Sequence, residues 1–187
     1  VKKHYHFVFK KLHDMDLLMT STPPKTPVAL TPLQPNEATA VVMVGEHRGI
    51  GLHNLLWILR TFPNHFKNFI FVSVGIVDVE SFSAKKELTT MQENTNEMLD
   101  YFVNYCQQQG LAAKGFAAYG TDPTEKLTRL SKKIIKEFPH SLFFASKLIF
   151  SKDNWITRLL HNETAVMLQR RLHLLGVQLV ILPMKID

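Results

Sequence analysis

The chain has 187 residues, of which 45% are hydrophobic and 20% charged, so one domain with a full core plus extra segments is affordable. No apolar run approaches the roughly 20 residues a membrane-spanning helix needs, and the first Lys residues are not followed by the apolar stretch of a signal peptide. A single cysteine, Cys106, excludes an internal disulfide and fits a reducing compartment.

The net charge of +6 is unevenly placed. Residues 1–35 hold five Lys against two Asp, residues 36–125 hold six basic and ten acidic groups, and residues 126–187 hold eleven basic and four acidic groups. An acidic middle between basic ends suits nucleic acid, an anionic membrane surface or an acidic partner, or simply a solvated surface.

In chain order, Tyr5, Val8, Phe9, Leu12 and Met15 recur at helical spacing, flanked by Lys2, Lys3, Lys10 and Lys11. Residues 1–19 therefore read as an amphipathic helix, and the start at Val1 reads as a cut from something longer. Residues 20–37 contain Pro23, Pro24, Pro27, Pro32 and Pro35, an extended linker that rules out helix and sheet. The compact domain is expected over 38–187, beginning near Ala38.

Thr39–Val44 is a continuous apolar run, as for a central parallel strand. Gly49 and Gly51 are expected to mark a turn, followed by a helix with Leu52, Leu55, Leu56 and Leu59 on one side and stopped by Pro63 and Asn64. Asn68–Val77 reads as the second strand. Ser83–Gln109 reads as a long amphipathic helix with Met91, Met98, Phe102, Tyr105 and a core Cys106, ended by Gly110. Ala112–Tyr119 is a weaker strand, Thr121-Asp122-Pro123 caps a helix running to Phe138, and Ser141–Ala145 is a fourth strand. Asn154–Leu174 reads as helix closed by Gly176, and Val177–Leu182 as the last strand before Pro183. Strands alternating with helices predict an α/β fold, an open, doubly wound five-stranded parallel sheet.

Such sheets bind ligands at the carboxyl ends of their strands, near the switch in strand order. Here those are the loops after Val44, Val77 and Ala145. The first reads GEHRGIG and offers Gly45, Glu46, His47, Gly49 and Gly51, but it is neither GxGxxG nor a P-loop. His47 and His53, and His4, His6 and His13, lack metal-ligand spacing, so no metal is expected. Asp78 and Glu80 follow the second strand, where a general base could sit, yet no GxSxG and no Cys–His pairing accompany them. The chain is therefore expected to be no enzyme and to need no cofactor. Lys126, Arg129, Lys132, Lys133 and Lys136 lie along one helix, without the interleaved aromatics of a nucleic-acid binder. They read as a solvated face, with a membrane-facing surface as the alternative.

The fold order and lengths are similar to the universal stress protein family. More narrowly, Gly49–Asp78 (GIGLHNLLWILRTFPNHFKNFIFVSVGIVD), Lys136–Phe150 and Arg158–Leu172 resemble the C-terminal domain of bacterial permeases of the amino acid–polyamine–organocation superfamily. VKKHYHFVFKKL resembles the stretch leaving the last transmembrane helix of such transporters, and its charge agrees with the positive-inside rule. The resemblance implies a regulatory or assembly domain on the cytoplasmic face of the bacterial inner membrane. Its partners would be the transmembrane part of the same transporter and a second copy of itself.

Departures from the ATP-binding stress proteins bear on the ligand. The family's Asp at the end of the first strand is missing at Val44-Gly45. If Leu159–Asn162 matches the family's Leu-Leu-Gly-Ser, its three glycine positions hold Leu148, Ser151 and His161, and its hydroxyl position holds Asn162. Side chains there would crowd a triphosphate, so ATP binding in the family's manner is not expected. A different anion on the GEHRGIG loop, Lys147, His161 and Asn162 stays open as the alternative. His161, Asn162 and Glu163 either line a residual pocket or hydrogen-bond the Gly45–Gly51 loop.

Overall fold

The computed structural model describes residues 30–45, 48–76, 84–146 and 167–182, with backbone alone for 84–87. The elements are β1 (Thr39–Met43), α1 (Arg48–Thr61), β2 (Asn68–Ile76), α2 (Ala84–Gln108), β3 (Ala112–Gly120), α3 (Pro123–Glu137), β4 (Ser141–Ser146), a helix α4 over 167–174, and β5 (Leu179–Leu182). The expected helix over 1–19, most of the linker, and the 154–166 part of the last helix lie outside the described residues.

The strands form one parallel sheet in the order β3-β2-β1-β4-β5, the doubly wound arrangement expected. β1 is buried along its whole length because both its faces carry helices, which is why TAVVM has no polar alternation. Alternate residues divide the core in two. Val42, Val44, Phe69, Phe71 and Phe144 pack with α1 and α2. Val41, Met43, Ile70, Phe143 and Leu179 pack with α3 and α4. On the first side Phe71 stacks on Phe102 with centroids 5.1 Å apart, and Phe62, Phe66 and Phe144 form an edge-to-face cluster.

Helix ends follow their local chemistry. Asp122 caps α3, accepting from the backbone N–H of Thr124 (2.8 Å) and Glu125 (3.0 Å), with Pro123 directly after it. Gly110 (φ 74°) and Gly176 (φ 75°) end α2 and α4 in the left-handed conformation. The N–H of Leu111 then returns to the carbonyl of Cys106, and that of Val177 to the carbonyl of Leu172.

Gly49 and Gly51 correct the expected turn. α1 starts at Arg48, so both glycines are helical and buried. A side chain at position 51 would collide with the Phe102 ring and come within 3.0 Å of Val44 Cγ1. The glycine lets α1, β1 and α2 approach closely; it does not make a turn. The apolar side of α1 also differs. Asn54 and Ile58 are buried while Leu56 is 44% exposed, because the helix turns its Gly51–Leu55–Ile58 line to the sheet.

The end of the Pro-rich segment lies against the domain. Asn68 accepts from the Gln34 N–H (2.8 Å) and donates to the Gln34 carbonyl (2.7 Å) and to Thr39 Oγ1 (2.9 Å). Gln107 accepts from the Thr31 N–H (2.8 Å), and Leu33 packs on the α3 side of the core. Among the described residues, no helix is long and apolar enough to cross a membrane.

Candidate functional site

The switch in strand order lies between β1 and β4, whose chains leave the sheet in opposite directions, and the crevice between their carboxyl ends is where ligands of such folds sit. From the sequence-derived set, the structure describes Gly45, Gly49 and Gly51. Glu46, His47, Lys147, His161 and Asn162 lie outside the described residues, as do Asp78 and Glu80. Only positions 46 and 47 separate Gly45 from the start of α1, so the GEHRGIG motif contributes its second half to a helix.

Arg48, the first residue of α1, is engaged by α2. Its guanidinium lies 3.9 Å from Glu97 and 5.2 Å from the centre of the Tyr101 ring. Gly51 is closed off by Phe102 and Val44, as described above. His53 on the same helix is exposed.

Two residues that sequence reasoning did not single out are buried and unpartnered on the α1 side of the sheet. Asn54, fully buried in α1, has no hydrogen-bond partner for either its amide oxygen or its nitrogen among the described residues. Ser146, the last residue of β4 and also fully buried, has none for its hydroxyl. Ser146 has the same strand parity as Phe144 and so faces the α1 layer. Buried polar atoms without partners cost roughly 1–3 kcal/mol each, and Ser146 has its unpaired hydroxyl at the carboxyl end of β4, beside the switch point. The signal in the sequence was the Asn inside the apolar string GLHNLLWIL, at the i+3 position from Gly51.

Cys106 is the one thiol of the chain and lies in the described core. It is fully buried between α2 and the sheet, and burial pushes its thiol up to about 12. That disfavours the thiolate, the reactive form. Among the described residues no group of His, Cys, Asp and Glu is arranged to hold a metal ion. An open groove of about 500 Å³ lies elsewhere, between α2 and the β3 edge, lined by Asn96, Asp100, Gln107 and Lys114 among others.

These features define an open α/β domain with a doubly wound sheet. A chain of the universal stress protein family from Burkholderia pseudomallei superposes with a TM-score of 0.54 at 17% identity, over 82% of this chain and 100% of that one. A universal stress protein family protein from Arabidopsis thaliana, solved with AMP bound, gives a TM-score of 0.49 at 12% identity, over 80% and 94% of the two chains. No family model and no curated protein matches the sequence. The chain has a universal-stress-protein-like fold.

Proposed function

We propose that the chain is a non-catalytic regulatory or assembly domain of a membrane transporter, working as a homodimer. The observation that supports this reading is the packing at the start of α1. Phe102 and Val44 fill the space at Gly51, and α2 engages Arg48, so both residues serve contacts between elements. The raised Cys106 thiol points the same way. The attachment to a transporter rests on the resemblance of Gly49–Asp78, Lys136–Phe150 and Arg158–Leu172 to permease C-terminal domains.

For assembly, the surface around the edge strand β5 offers apolar side chains. Leu174 (80% exposed) and Leu175 lead into it, and Val180 and Ile181 are half-buried on it. Signalling would then be mechanical: a partner alters the packing of the domain, and the Pro-rich segment passes the change on.

A second reading, an anion or nucleotide sensor, is favoured by the unpartnered Ser146 at the end of β4 and the unpartnered Asn54 in α1. A thermal-shift panel of nucleotides and amino acids separates the two, read beside the solution mass. A site at a hundred times its Kd stabilises by about 2.7 kcal/mol, which moves Tm by a few degrees. The assembly reading expects no shift and twice the 21.5 kDa chain mass. A clear shift with one nucleotide establishes the sensor instead, and a monomer with no shift removes both.

A further inference from the structure

The two faces of the sheet differ in charge. On the α1–α2 side, Arg48 and Arg60 are outnumbered by Glu93, Glu97 and Asp100. On the other side, α3 carries Lys126, Arg129, Lys132, Lys133 and Lys136 against Glu125, Glu137 and the capping Asp122. β3 adds Lys114 to that side, and the described turns of α4 add the exposed Arg170 and Arg171 with no acid. Eight cations thus face three acids.

Their placement is regular. At 3.6 residues per turn the five α3 cations span an arc of about 120°. That arc is centred opposite the buried Thr124, Leu127, Ser131 and Ile134. Two of the cations have exposed acidic neighbours, Arg129 with Glu125 at 3.1 Å and Lys114 with Glu137 at 3.3 Å. Lys126, Lys132 and Lys136 have no acidic partner among the described residues. Lys114 and Lys133 also share one ring, their ammonium groups lying 4.7 and 5.7 Å from the centre of Phe116. Like charges are gathered here rather than dispersed.

We infer that the α3–α4 face is a docking surface for an anionic lipid bilayer. α3 and α4 lie in one apolar layer on the sheet, so their outward-facing cations share one face of the domain. The half-buried Phe116 is capped by two lysines and offers no open ring for base stacking. The N–H groups at the start of α3 are already taken by Asp122. What remains is long-stemmed positive charge facing outward, which suits lipid headgroups better than a nucleic acid. The inference rests on this charge distribution and does not need the transporter reading.

The test is co-sedimentation of the 187-residue chain with phosphatidylcholine vesicles, with and without about one-third phosphatidylglycerol. Binding is expected only to the anionic vesicles, and it is lost near 0.5 M salt, where screening is strong. Each cation near such a surface is worth about fivefold in affinity, so K132Q/K136Q/R170Q weakens binding by roughly a hundredfold. Arg60→Gln, on the opposite face, leaves it unchanged. All three changed positions are exposed; circular dichroism checks the fold, and Lys132→Gln alone still predicts about a fivefold loss. No binding to anionic vesicles overturns the inference. A triple variant that binds as tightly as the parent also overturns it, by placing attachment outside this face. Stronger retention of a single-stranded oligonucleotide than of vesicles at the same salt makes the face a nucleic-acid surface instead.

Discussion

The ring of Phe102, on α2, stands where a side chain at Gly51, on α1, would have to go. Gly51→Ala gains about 1 kcal/mol of helix propensity but overpacks a rigid aromatic contact, and overpacking costs about 1–3 kcal/mol. A net loss of stability is expected in urea unfolding. Adding Phe102→Leu should recover part of it, because the two changes share one contact and do not add.

Burial holds the Cys106 proton to about pH 12, whereas in the unfolded chain the thiol titrates near 9.0. The folded state therefore binds more protons between these values. Its contribution to stability is complete below about pH 9 and is lost as the pH rises toward 12. Tyr105 shifts in the same direction, through burial and then the neighbouring Cys106. The urea midpoint should fall from pH 9 upward, and fall less in Cys106→Ala. In the native protein at pH 8 the thiol should resist iodoacetamide and react only on unfolding.

Asp122 supplies the partner for two N–H groups at the start of α3. Asp122→Ala should cost about 1 kcal/mol and Asp122→Asn much less. Equilibrium unfolding reads both. Equal losses would mean that charge, not capping geometry, matters there.

Asn68 holds Gln34 by both backbone groups and also reaches Thr39. Asn68→Ala should cost about 1–3 kcal/mol, since it strips hydrogen bonds from a buried position. It should also speed proteolysis between positions 30 and 37. Unchanged cleavage would mean that Gln107 and Leu33 suffice to hold that segment.

Asn54 gives the opposite sign. Neither of its amide atoms is paired, so the near-isosteric Asn54→Leu should raise stability by about 1 kcal/mol. A fall instead would mean that the buried amide has a partner in the folded protein. If the sensor reading holds, the same change should also abolish the nucleotide response.

The parallel sheet was legible because TAVVM and NFIFVSVGI are continuous apolar runs and because Asp122-Pro123, Gly110 and Gly176 punctuate the helices between them. The glycines of the first loop were misread. A glycine that makes a turn and one that admits a neighbouring ring look alike in sequence, and only the position of Phe102, some fifty residues away, separates them. Asn54 was missed for a similar reason. Its burial depends on which side of α1 meets β1 and β4, and with Ile50, Trp57 and Ile58 opposite the leucines the helix does not specify that side. The charge on α3 was visible residue by residue, but its excess over the opposite face needed the topology.

The hydrogen bonds at Asn68 also fix the end of the sheet at which the chain enters the domain. Asn68 pairs with Thr39 and with Ala112 at the amino ends of β1, β2 and β3, and Thr31 is held by Gln107 at the nearby end of α2. The segment before β1 is thus anchored to α2 through Gln107 and to β2 through Asn68 before it enters the sheet. It enters at β1, the central strand, bonded on both sides to β2 and β4. The crevice between the carboxyl ends of β1 and β4 opens at the opposite end of the sheet from this anchor, so a change made at either end has the length of the central strands between them.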